Sequence, residues 1–92
     1  MQDYEVLQTA IDHYGSERQI DKAIEEMSEL TKALLKLRLV KNEQNTESVL
    51  EEMADVEIML DQLKLIFGYK TLYRDEKVYR LVERLHEEGV TV

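Results

Sequence analysis

The chain contains no cysteine, no proline and no tryptophan. Without cysteine there is no disulfide, no thiolate zinc site and no thiol nucleophile. That fits a reducing compartment, and the cytoplasm is the expected location. Without proline, and with three glycines in 92 residues, little interrupts a helix. Positive charge is also short. Twelve Lys and Arg stand against 20 Asp and Glu, for a net charge of −8. Such a chain repels a nucleic-acid backbone, no basic stripe offsets this, and no nucleic-acid partner is expected. No apolar run approaches the roughly 20 residues of a membrane span. Met1 to Ala10 also lacks the basic-then-apolar order of a signal peptide, so neither membrane nor export is expected.

What is present is helical in character. Hydrophobic residues make up 43% and charged residues 35%, a globular composition rich in Glu, Lys and Leu. One domain over residues 1–92 is expected, with a core thin enough to favour self-association.

Four helices follow from the apolar spacing. The first is expected over Gln2 to His13, with Tyr4, Leu7, Ala10 and Ile11 inward. Tyr14 and Gly15 stop it, and Ser16 with Gln19 fits a capping box. The second is expected from Glu17 to Lys41, with Ile20, Ala23, Ile24, Met27, Leu30, Leu34 and Leu37 as its stripe. After a polar connection, Asn45 or Thr46 could cap a third helix from Glu47 to Phe67. Its stripe is Val49, Met53, Val56, Leu60, Leu63 and Phe67, and Gly68 ends it. The fourth is expected from Thr71 to Glu88, with Val78, Leu81, Val82 and Leu85 inward. The architecture expected is all-α and four-helix bundle-like, assembling by helix pairing into a dimer or tetramer.

Acidic residues are common here, so their positions matter more than their number. Acids three apart on a helix share a face and can grip one cation. That spacing occurs at Glu26/Glu29 and at Glu52/Asp55, once in each of the two longest helices. The first pair lies roughly 100–150° from the centre of its helix's stripe, and the second roughly 50–110°. Both would border one cleft if the helices pack antiparallel. Four carboxylates there would repel one another without a cation, and Mg²⁺ is the ion that bridges carboxylates to phosphates. A plainer reading also fits the spacing: a solvated face, with Lys22 and Lys32 paired to the acids.

These residues resemble a known family. Glu25-Glu26-Met27-Ser28-Glu29-Leu30 is similar to the EExxEL motif of the MazG-like, all-α nucleoside triphosphate pyrophosphohydrolases. Glu52-Met53-Ala54-Asp55 is similar to their second motif, ExxD. Gln19 resembles a glutamine often found ahead of the first motif. Lys77, Arg80, Leu81, Arg84 and Leu85 resemble the ending of small members. The resemblance covers about residues 13 to 88.

It implies a hydrolase that turns a (d)NTP into (d)NMP and pyrophosphate. Glu26, Glu29, Glu52 and Asp55 would hold Mg²⁺, with Mn²⁺ as a substitute. Glu29, or alternatively Glu25, would take a proton from the attacking water. Lys22 and Lys32, or Lys77 and Arg80 on a fourth helix folded back, would hold phosphates. Gln19 would touch base or sugar, in an apolar pocket that includes Tyr14. Glu57 and Asp61, where many members are apolar, read as surface positions.

Two other classes stay open: a non-catalytic helical module that binds a protein, and an enzyme dedicated to dUTP or phosphoribosyl-ATP. Glu83 and His86 form a single ExxH, but a di-iron bundle needs two. His86 is read as a surface residue near a helix end. Glu17, Asp21, Glu25 and Glu29 form an acidic ladder, read as a solvated face or a funnel for metal ions.

Overall fold

A computed structural model of the chain describes residues 3–92. It is all-helical, with four helices: α1 (Asp3–Tyr14), α2 (Ser16–Leu39), α3 (Glu43–Phe67) and α4 (Thr71–Glu87). Gln2, the expected start of the first helix, lies outside the described residues. No described helix is long and apolar enough to cross a membrane.

The helix boundaries differ from expectation where capping chemistry decides them. The break between α1 and α2 is Gly15, held at φ 93°, a backbone region that glycine enters without a Cβ penalty. Ser16 is already helical and makes no side-chain cap, so the capping box does not form. The Gln19 side chain is spent elsewhere. The third helix begins at Glu43, four residues before the expected Glu47, because Asn42 is its cap. The Asn42 Oδ1 accepts from the Asn45 backbone N–H at 2.7 Å. Asn45 turns its own amide back to the Val40 carbonyl, also at 2.7 Å. The two asparagines thus close the turn between α2 and α3.

Those two helices form the body of the protein as an antiparallel pair. Gln19 meets Gln62 and Glu26 meets Glu52 and Asp55, so position rises along one helix as it falls along the other. Burial follows alternating steps of four and three residues. In α2 the seam is Gln19, Ala23, Glu26, Leu30, Ala33 and Leu37. In α3 it is Asn45, Val49, Glu52, Val56, Met59, Leu63 and Ile66. This is knobs-into-holes spacing. Ala23, at 1% exposure, lets the two backbones come close.

The expected stripes are therefore covered in part: Ile20, Ala23, Leu30 and Leu37 of α2, and Val49, Val56 and Leu63 of α3, are buried or half-buried. Ile24, Met27 and Leu34 of α2, and Met53, Leu60 and Phe67 of α3, are exposed. Both helices carry more apolar residues than one seam can bury, so part of each expected stripe stays uncovered.

Gln19 and Gln62 make a polar closure of the seam. Gln19 Nε2 donates to Gln62 Oε1 at 2.7 Å, and both are buried. Gln62 Nε2 reaches only the Met59 sulfur, at 3.7 Å. Gln19→Leu would strand a buried amide, at a cost of about 1–3 kcal/mol. Gln19→Leu with Gln62→Leu should recover most of that in urea denaturation. A double variant no more stable than the single one would show that the stranded Gln62 amide costs nothing.

The first helix packs across both α2 and α3. Ile11 is buried there, with Leu7 and Ala10 half-buried, while Tyr4 is exposed. The fourth helix departs from the expected bundle. Gly68, at φ 88°, ends α3, and α4 then packs against none of the other three helices. Val78 and Leu81 are exposed, and Val82 and Leu85 half-buried, rather than inward. A single chain is thus a three-helix unit with a projecting fourth helix.

Candidate metal centre

Three of the four acids singled out by spacing come together. Glu26, Glu52 and Asp55 each offer a carboxylate oxygen, and these oxygens lie within 4.8 Å of one another. The cause is the seam. Glu26 sits between Ala23 and Leu30, and its side chain is 13% exposed. Glu52 sits between Val49 and Val56. Both occupy places that an apolar residue would fill in an ordinary helix pair. Asp55 lies one turn along from Glu52, at the exposed edge. Glu26 was expected on the flank of its helix, and it stands in the contact line instead.

The Glu52 Oε2 is buried and has no hydrogen-bond partner among the described residues. Loss of water pushes the Glu52 carboxyl above its ordinary range, and the charges of Asp55, Glu26, Glu29 and Glu51 push the same way. A buried acceptor left orphaned is costly. Crowding three carboxylates around it adds repulsion. Oxygen-only donors of this kind suit a hard cation such as Mg²⁺.

Glu29 lies outside the three-acid cluster. It is half-buried one turn beyond Glu26 and pairs with Lys32 at 3.5 Å. Its charge still reaches Glu52. Glu25 is directed elsewhere: it is exposed and meets Lys22 at 3.7 Å. Lys22 also meets Glu26 at 3.3 Å. Its ammonium is held above the usual lysine value, first by the hydrogen bond to Glu26 and then by the charges of Glu25 and Glu26.

A cleft of about 610 Å³ opens where α1 crosses the pair, and Lys22, which pairs with Glu26, links it to the cluster. Ala10, Tyr14, Arg18, Gln19, Met59 and Gln62 line it, and Lys22, Asp21 and Glu25 form its rim. Gln19 and Tyr14 were expected near a ligand, and both are here. Gln62, Met59, Ala10 and Arg18 were missed by the sequence reading. Only the pairing of α1 with the end of α3 assembles them, and no spacing within one helix signals that.

Two expected residues are not brought to the site. Lys77 and Arg80 lie on α4, which does not fold back on its own chain. Arg80 instead lines a separate hollow with Asp75, Glu76, Tyr79 and Glu83. Glu57 and Asp61 are exposed, and Asp61 pairs with Lys64 at 3.7 Å. His86 is exposed near the end of α4, so the ExxH pair gathers no further ligand. Of the ladder acids, Glu17 is exposed, and Asp21, also exposed, lies on the cleft.

In comparisons with family models, with curated proteins and with solved structures, nothing matches this chain.

Proposed function

We propose that this chain is a Mg²⁺-dependent nucleoside triphosphate pyrophosphohydrolase of the MazG-like type. The observation that carries the reading is the orphaned Glu52 Oε2 among the carboxylates of Glu26 and Asp55. Folding has removed that oxygen from water without giving it a donor. A cation satisfies such an oxygen and relieves the repulsion around it. The order of the two acidic motifs supports the same reading.

Glu26, Glu52 and Asp55 would hold the metal, with Glu29 joining from the next turn. Magnesium, when bound, supplies charge neutralisation for the triphosphate and acidity for the attacking water. That water adds to the α-phosphorus as the bond from the α-phosphorus to its bridging oxygen breaks, and pyrophosphate leaves. Glu29 would be the better placed base, because its charge reaches Glu52; both it and Glu25 have a lysine partner, Lys32 and Lys22. Lys22 sits between the cluster and the cleft and would hold phosphate as Glu26 turns to the metal. Lys32 flanks from the other end. The nucleoside would occupy the cleft, against Tyr14 and the Gln19–Gln62 pair. Its volume is in the range of small-molecule sites.

A second reading draws on the apolar surface left uncovered: a non-catalytic module that binds a protein. Incubation with each NTP and dNTP, and with phosphoribosyl-ATP, separates the possibilities. The enzyme releases pyrophosphate only with Mg²⁺ or Mn²⁺. A preference confined to dUTP or phosphoribosyl-ATP identifies a dedicated enzyme. No release from any of them, with either metal, refutes the enzymatic reading.

A further inference from the structure

The acidic cluster has one positive charge at its edge. Of its three acids, Glu26 alone forms an ion pair among the described residues, with Lys22 at 3.3 Å. Glu52 and Asp55 face each other and Glu26 with no cation of their own.

Lys22 also reaches a second carboxylate, in a different setting. Glu25, 3.7 Å away, has a side chain 62% exposed and belongs to the rim of the cleft. The Glu26 side chain, in the seam, is 13% exposed. One ammonium therefore spans the cluster and the cleft. It is also free to choose between them. The Lys22 side chain is half-exposed, and its four-carbon stem turns about several bonds without disturbing a core.

A divalent ion among Glu26, Glu52 and Asp55 would repel this ammonium and take over the charge that holds it. Two cations thus compete for one carboxylate. In metal-free protein the ammonium offsets part of the repulsion among the acids. It must leave Glu26 before the metal meets the full charge of the cluster. Once displaced, its next partners are Glu25 and any phosphate in the cleft. Displacement weakens metal binding by the strength of the ion pair, and the same displacement readies a donor for phosphate.

We propose that Lys22 is a stand-in cation. It holds Glu26 while the cluster is metal-free, yields it to Mg²⁺, and carries its charge into the cleft, so that metal and phosphate binding are coupled through one side chain. This role rests on the metal reading of the cluster. It adds to that reading a competition between Lys22 and the metal, and the two fail by different results.

Calorimetric titration reads both halves, first with Mg²⁺ alone and then with Mg–inorganic triphosphate added to Mg²⁺-saturated protein. Lys22→Met should bind Mg²⁺ about fivefold more tightly, the upper scale of a partly exposed ion pair. The same variant should bind Mg–triphosphate about tenfold more weakly, having lost a charged donor. These opposite signs separate the role from a structural one, since a damaged helix would weaken both. Lys22→Arg keeps the charge and should stay near wild type in both titrations. Lys36, on the same helix, is exposed and forms no ion pair among the described residues. Lys36→Met should change neither affinity. Unchanged or weaker Mg²⁺ binding in Lys22→Met overturns the competition, and so does an equal gain in Lys36→Met. Unchanged triphosphate binding in Lys22→Met overturns the transfer to the cleft. Wild-type protein that binds no Mg²⁺ overturns the metal reading itself, and this role with it.

Discussion

Glu52→Gln and Asp55→Asn should each cut pyrophosphate release by at least about 10²–10³-fold, the scale seen when one group that stabilises developing charge is removed. Far-ultraviolet circular dichroism should show the helix content intact. The expectation follows from position. Glu52 lies in the seam with an oxygen already shut away from water, so an isosteric amide keeps the packing and removes the charge. Asp55 is exposed, so its loss disturbs no core. Glu57→Gln, on the outer surface of the same helix, should leave turnover unchanged. Turnover retained in both Glu52→Gln and Asp55→Asn would show that the clustered acids do not carry the reaction.

A rise in thermal stability with Mg²⁺ is the second large effect, and it has a defined dependence on pH. Burial, and then neighbouring negative charge, raises the folded-state Glu52 carboxyl above its ordinary value of 4.5. The stability contributed by its protonated form is full below 4.5. It is lost as pH rises through the raised folded value. Metal-free protein therefore carries an electrostatic penalty at neutral pH that Glu52→Gln removes. Without metal, the variant should melt above wild type at pH 7, and the gap should close as pH falls toward 4.5. With Mg²⁺ at a hundred times Kd, a single site contributes about 2.7 kcal/mol. For a domain of this size that raises Tm by roughly 10–20 °C. Glu52→Gln should lose most of the rise. Scanning calorimetry of both proteins, with and without Mg²⁺, reads both effects. An equal Mg²⁺ response in the two proteins would mean that no cation binds at Glu52.

The same seam explains which parts of the protein the sequence could disclose. Glycine positions and the absence of proline placed the helices to within a few residues. The exception was the start of α3, where Asn42 and Asn45 compete for the cap and the side-chain hydrogen bonds decide between them. The acidic pairs were legible because spacing of three on a helix is a local property. Their burial was not. The rows through Met27 and Leu34, or through Met53 and Leu60, look as much like a core as the rows through Ala23 and Leu30, or through Val49 and Val56. An apolar count does not favour a row that contains Glu26 or Glu52. Yet that row closes, because the small Ala23 allows close approach and Gln19 finds Gln62.

By itself, then, the order of residues determined an all-helical chain with two acid-bearing long helices. It did so because helix propensity and i, i+3 spacing act within one or two turns. Only the tertiary structure decided that Glu26, Glu52 and Asp55 meet, that Glu29 and Glu25 stand apart from them, and that α4 leaves its own chain uncovered. Those outcomes depend on which of two nearly equivalent apolar faces is chosen for the seam. That choice is made by contacts between residues 26 to 43 positions apart, beyond the reach of any local pattern.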